Sequence, residues 1–300
     1  MGGSSVFERL SPWIFVALWS TGFVVARYST DNADPLLFLA VRMVLAAGLL
    51  LVIATVTKAP RMPRELVVPS ALVGLFMHAI YLGGVFVAIS RGLPSGLGAL
   101  IAGIHPVVTS VAGRVLLGEK LRRSQWLGVV LGVVGVVVVV ADKLRAGSSD
   151  VTTFALVAMV CSVIGMSTGT LIQRAKARSM PLVRGTAVQY LSSGIVLGIA
   201  TAIFEDGKFE LNLEMSLALA WSVLVLSLAA VLLMMLLISR HSAARVSSLF
   251  FLTPALSALE AAVLFSERLS GLAIVALIVA LAGVWLTMRT PTAPAAAVES

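Results

Sequence analysis

Apolar residues in this chain do not alternate with polar ones. They come in long blocks, at about 12–28, 35–57, 67–90, 95–117, 124–142, 152–173, 182–204, 215–239, 244–265 and 270–288. A helix rises about 1.5 Å per residue and the hydrocarbon of a bilayer is about 30 Å thick, so blocks of this size suit membrane crossing. Proline, glycine and charge punctuate the gaps, as in Asp31–Pro35, Lys58–Arg64, Glu119–Ser124, Ala146–Asp150 and Glu205–Lys208. The pattern predicts an all-α membrane protein of ten transmembrane helices. Residues 1–11 carry Glu8 and Arg9 with no basic run ahead of the apolar block, so the first block reads as a retained span. The Pro/Ala-rich residues 290–300 read as a disordered tail.

Composition agrees with the pattern. The chain is 59% hydrophobic and 12% charged, whereas a soluble domain carries about 25% charge. The net charge of +8 suggests nucleic acid until the basic residues are placed. Only Arg27, Arg91, Lys143, Arg145, Lys208 and Arg268 fall in the odd-numbered loops, and Arg42 lies inside a span. The rest lie at the termini and in the even-numbered loops. Lys and Arg collect on the cytoplasmic side, so both termini are expected in the cytoplasm of a bacterial-type inner membrane, with the lipid bilayer as partner and no nucleic acid. One cysteine, Cys161, excludes an internal disulfide and a Cys-based metal site, and the three histidines form no ligand cluster in sequence. No metal and no cofactor are implied.

The chain also repeats itself. Ser20-Thr21-Gly22 returns 147 positions later as Ser167-Thr168-Gly169. Ile89-Ser90-Arg91 returns as Ile238-Ser239-Arg240, and Pro106 with Glu119 returns as Pro254 with Glu267. Glu119-Lys120-Leu121 matches Glu267-Arg268-Leu269, and Gly135 matches Gly283. A near-constant offset divides the chain into two five-helix repeats, 12–142 and 152–289. Five is odd, so the second copy runs in the opposite sense. Inverted repeats are a design of secondary transporters, with the site at the repeat interface.

Ten spans, the five-plus-five division, and a mid-span proline followed by a glutamate in each half resemble the EamA-type branch of the drug/metabolite transporter superfamily. The resemblance covers about 12–289. Within that branch the chain is most similar to the YddG-type (aromatic) amino-acid exporters. The resemblance implies that the first four helices of each half line a central cavity and that the fifth lie outside. The residues agree: 127–141 and 272–286 are apolar on every face, and such helices offer a solute nothing. Gly128, Gly132 and Gly135 give a close-approach face, for packing onto the bundle or for a homodimer seam.

Polar side chains inside spans are candidates for function. His78 and Tyr81 share a helix face three residues apart and suit cavity lining or bonds to neighbouring helices. Trp19, Ser20 and Thr21, with Ser167 and Thr168 in the other half, suit a cavity wall or close helix packing. Gln189, Tyr190, Ser247 and Ser248 are further cavity candidates. Arg42 and Glu260 are buried charges that would pair, or face an outer vestibule, at the expected depth. Pro106 and Pro254 bend their helices as hinges or as fixed kinks. Glu119 and Glu267, at the water boundary, suit helix capping or salt bridging, and the resemblance makes them loop anchors.

Together these residues predict a secondary transporter that exports a small metabolite, an amino acid first, by alternating access. A drug or other metabolite exporter of the same superfamily is the alternative. A phosphate ester would want several basic groups, and only Arg42 is inside. Gly165-Met166-Ser167-Thr168-Gly169 formally matches a nucleophile elbow, which would make an intramembrane hydrolase with Ser167 as nucleophile. The elbow needs a strand and a sharp turn, and this phrase lies in an apolar helical block, so no enzyme is expected.

Overall fold

The computed structural model describes residues 6–117, 121–145, 151–176, 179–240, 252–267 and 270–288. Among them the protein is helical, with one isolated bridge between Ala33 and Phe209. Helix α1 is Val6–Ser29, α2 Pro35–Val56 and α3 Arg64–Ser90. Helix α4 comes in two pieces, Ser95–Ala102 and His105–Leu117. Then follow α5 Arg123–Arg145, α6 Thr153–Lys176 and α7 Leu182–Phe204. Helix α8 begins as Leu213–Ala220 and ends as Ala230–Arg240, α9 is Thr253–Phe265 and α10 is Gly271–Met288. Eight of these are long and apolar enough to cross a membrane, and α9 and α10 are shorter apolar helices.

The distribution of side chains is that of a protein dissolved in lipid. Large apolar residues point outward: Val52, Val56, Leu116 and Phe204 are more than half exposed. Small hydroxyls lie inside beside large apolar side chains such as Phe38, Leu39 and Phe86: Ser20, Ser162, Ser193, Ser222 and Ser227 are fully buried. Four of them donate to a nearby oxygen, as Ser162 Oγ does to the Tyr81 carbonyl at 2.8 Å, and Ser227 Oγ accepts from Arg42 Nε. Lipid tails leave large apolar residues free to face outward, and small residues let backbones approach where helices cross.

The three most extensively packed pairs are α5 with α10, α3 with α6, and α2 with α7. In each pair, one member comes from each half of the sequence. The fifth-helix pair answers the question of the glycine face. A Cβ on Gly128 would lie 2.5 Å from the Gly283 carbonyl, and one on Gly135 would lie 2.6 Å from the Ala276 carbonyl. The glycine face is therefore spent inside the chain, against α10, and not at a homodimer seam. Only 22% of the α5 span is buried, against 44% for α2, α3 and α6, which puts α5 at the periphery.

Carboxylates fasten helix ends across the halves. Glu205, just after α7, accepts from the Leu36 and Leu37 amides at 2.8 and 2.9 Å and so caps α2. Asp34 accepts from the Gly207 and Lys208 amides at 2.9 and 2.8 Å. At the other end of the pair, Arg184 Nε donates to the Ala59 carbonyl at 3.2 Å. Glu267 accepts from the Ser95 and Gly96 amides at 2.9 and 3.0 Å and caps the first piece of α4. The capping expected of Glu267 is thus present. Glu119, Ser247, Ser248 and residues 290–300 lie outside the described residues.

Candidate functional site

Helices α3 and α8 each contain a π-helical turn, Leu75–Ile80 and Trp221–Ala229. Such turns widen a helix locally and collect at functional sites. The two fall at matching places in the two halves. His78 lies in the first and Ser227 in the second, and between them stands the α2/α7 pair.

A polar cluster forms there. His78 Nε2 is 3.4 Å from Gln189 Oε1. The Gln189 amide nitrogen donates to Gln173 Oε1 at 3.1 Å and to Met180 Sδ at 3.3 Å. The Gln189 oxygen is therefore the acceptor and His78 donates through Nε2. The imidazole meets the Tyr190 ring edge-on, with centroids 4.9 Å apart. Tyr190 donates its hydroxyl to the Ser227 carbonyl at 3.1 Å, and Arg42 Nε donates to Ser227 Oγ at 3.0 Å. Five helices contribute: α2, α3, α6, α7 and α8. Arg42 and Gln189 are repeat equivalents, 147 positions apart, and both reach this cluster.

Arg42 is 7% exposed. Its guanidinium carries five N–H donors, and among the described contacts one is used, on a neutral hydroxyl. No carboxylate lies within ion-pair distance of it among the described residues. The expected Arg42–Glu260 pair is thus corrected. Glu260 sits on α9, where Oε1 accepts from Ser20 Oγ at 2.6 Å. The reason is architectural: α2 packs chiefly on α7, whereas α9 packs on α1 and α4. Equal expected depth does not make two helices neighbours.

The other sequence candidates separate. Tyr81 is partly buried at the end of the first π turn, against the main apolar core. Trp19 packs on Phe15 at 5.3 Å, in an apolar seam with Leu233, Met234, Leu237 and Leu256. Ser20 is fully buried, and Thr21 Oγ1 accepts from Trp221 Nε1 at 3.0 Å. Ser167 is 2% exposed and donates to the His105 carbonyl at 3.1 Å. The repeated serines therefore serve packing and not an open wall. Each rests on the proline-bearing helix of the other half, Ser20 on α9 and Ser167 on α4.

The prolines start helical pieces. Pro106 is the second residue of His105–Leu117, after a break at Gly103–Ile104, and Pro254 is the second residue of α9. Proline has no N–H, so Pro106 leaves the Ala102 carbonyl without its helical donor. His105 Nδ1 reaches that carbonyl at 3.2 Å. A carbonyl only accepts, so this imidazole holds its proton on Nδ1. Gly103 at the break packs against Pro254, where a Cβ would come within 2.6 Å of the proline ring. The phrase Gly165–Gly169 lies inside unbroken α6, which is not the strand-turn-helix of a nucleophile elbow.

Sequence reasoning missed Ser227 and Gln173. Ser227 is a lone hydroxyl in the apolar run 223–238, and Gln173 is an amide near the end of a span. Both are signals of the kind that singled out Gln189. The π turns left no mark in the sequence.

The model of the EamA-like transporter family matches residues 13–141 and 153–289. The chain belongs to the EamA-like transporter family. It shares 29% identity over 274 residues with the uncharacterized inner membrane transporter YedA of Escherichia coli (strain K12), covering 88% of this chain and 86% of that protein. It shares 24% over 286 residues with a probable amino-acid metabolite efflux pump of the same organism, covering 92% of each. A solved crystal structure superposes with a TM-score of 0.64 over 93% of this chain and 96% of that one, at 21% identity, which speaks to the fold alone. This EamA-like protein is therefore a multi-pass transporter of the bacterial inner membrane, within the EamA-type drug/metabolite transporter superfamily.

Proposed function

We propose that this EamA-like transporter exports small metabolites, amino acids foremost, by alternating access between two inverted five-helix repeats, 12–142 and 152–289. In this reading there are ten spans and both termini are cytoplasmic. The observation that carries it is the cluster of Arg42, His78, Gln189, Tyr190 and Ser227 at the α2/α7 crossing, flanked by a π turn from each half. A guanidinium with donors to spare and no carboxylate beside it among the described residues suits the carboxylate of an amino acid. An imidazole and a phenol ring suit a polar head beside an apolar side chain. The family match on two segments supports the duplication. The name of the amino-acid metabolite efflux relative supports the substrate class. The crosswise serine contacts support an exchangeable seam, since each half leans on the other's proline helix, with Pro106 and Pro254 as hinges.

The test is counterflow in proteoliposomes preloaded with single amino acids and given labelled tracer outside. Saturable uptake for some amino acids, weakened by His78→Ala, is expected. Folded protein that exchanges none of them would remove the amino-acid assignment and send the search to other metabolites and drugs.

A further inference from the structure

Glu260 is an interior carboxylate that the substrate cluster leaves unused. Its Oε1 accepts from Ser20 Oγ at 2.6 Å, and its Oε2 is buried with no hydrogen-bond partner among the described residues. The contact joins the two halves: Ser20 belongs to α1 and Glu260 to α9. Ser257, one turn earlier on the same face, donates to the Ser20 carbonyl at 3.0 Å and holds the two backbones together. An ionised carboxylate with a bare, buried oxygen is strongly disfavoured. The site therefore asks for a positive partner on Oε2.

Among the described residues no protein cation reaches Oε2. Among them α9 packs chiefly on α1 and the first piece of α4, and its Leu256 shares an apolar cluster with Leu233, Met234 and Leu237 of α8. Ser95–Ala102 of α4 holds no titratable residue, and Glu267, bound at its start, is a second acid. On α1, Arg27 stands seven residues beyond Ser20, roughly 10 Å along the axis, and pairs with Asp31 at 3.3 Å. Tyr28 is turned to Phe265, with centroids 5.1 Å apart. Glu8 and Arg9 lie further off, near the other end of α1. Arg42 is held by Ser227 on another side of the bundle. A metal ion fits no better. Hard cations gather about six oxygens, and among the described residues no cluster of three or more metal-ligating side chains exists.

The partner that needs no further ligand is a proton. We propose that Glu260 is a proton-exchange site coupling outward movement of the metabolite to inward movement of one proton. With the α1/α9 seam closed, Oε2 holds the proton as a neutral acid while Oε1 keeps the Ser20 bond. When the seam opens to water, the carboxylate is hydrated and the proton leaves. One proton taken up on one face is released on the other per cycle, so charge and atoms balance. The coupling step rests on the alternating-access reading above; the proton site does not.

Two measurements separate these. The first needs no substrate. Infrared difference spectra of the folded protein across a pH titration are expected to show a protonated-carboxyl C=O band that Glu260→Gln removes and Glu260→Asp keeps, shifted. An unchanged band in Glu260→Gln overturns the site. The second uses proteoliposomes with labelled phenylalanine and leucine, then the other amino acids, at a pH difference of one unit. Tracer is expected to collect on the acid side at up to about tenfold, the limit for one proton per cycle, and to equalise in Glu260→Gln. Accumulation that persists in Glu260→Gln overturns the coupling. Absence of transport for every amino acid defeats the substrate reading and leaves the infrared result to decide the proton site.

Discussion

Arg42 and His78 carry the argument at the scale of single residues. A charge-assisted hydrogen bond contributes about 1.5–3 kcal/mol, which is about tenfold to a hundredfold in affinity. Arg42→Gln keeps a donor but no charge, so the concentration of amino acid that half-saturates counterflow is expected to rise by about that factor. Tracer uptake against concentration measures it. His78→Ala removes the Gln189 contact and the edge of Tyr190. Its half-saturation is expected to rise less, since no charge is lost. Both side chains were visible in the sequence as polar groups inside apolar blocks. Their meeting was not, because residues 42, 78 and 190 come together only once helices are assigned neighbours. The Arg42–Glu260 pair failed for the same reason: periodicity gives depth and face within one helix and says nothing about which helix lies alongside.

Two helix pairs set the predictions at the next scale. Gly135→Leu would drive a side chain into the Ala276 carbonyl. Overpacking of a close seam costs about 1–3 kcal/mol, so a clear fall in detergent melting temperature is expected from thermal-shift measurement, with Gly22→Leu, which meets nothing within 4 Å, nearly silent by comparison. Glu205→Ala strips the first turn of α2 of its cap. Losing a side-chain cap costs about 0.5–2 kcal/mol, and the α2 amides are expected to exchange hydrogen faster over Leu36–Phe38. Much at this scale was legible: the all-apolar fifth blocks, the glycine face and the cap at Glu267. The π turns were not, since an extra residue in a turn leaves hydrophobic periodicity almost unchanged over so few positions. The offset pairing Ser20 with Ser167 was plain in the letters, but its use, with each serine seated on the other half's proline helix, needed the fold.

The whole molecule joins two halves crosswise, and its orientation in the membrane is testable directly. In a Cys161→Ala background, Asp206→Cys and Arg61→Cys are expected to react with an impermeant maleimide from opposite sides of the membrane, Asp206→Cys from outside. Labelling of both from one side would remove the odd-numbered repeat and with it the inversion. The crosswise fastening also bears on how the chain is made. Leu36 waits for a carboxylate 169 positions downstream, and Ser95 for one 172 positions downstream. A ribosome adding about 5–20 residues per second leaves these amides without their acceptors for roughly 10–30 s after their helices have been synthesised. During that interval the first half stands in the bilayer with two helix starts open. A nascent chain halted before residue 205 should therefore be loose in a way that the same helices in the finished protein are not, and Glu267, emerging late, closes a structure begun in the first half.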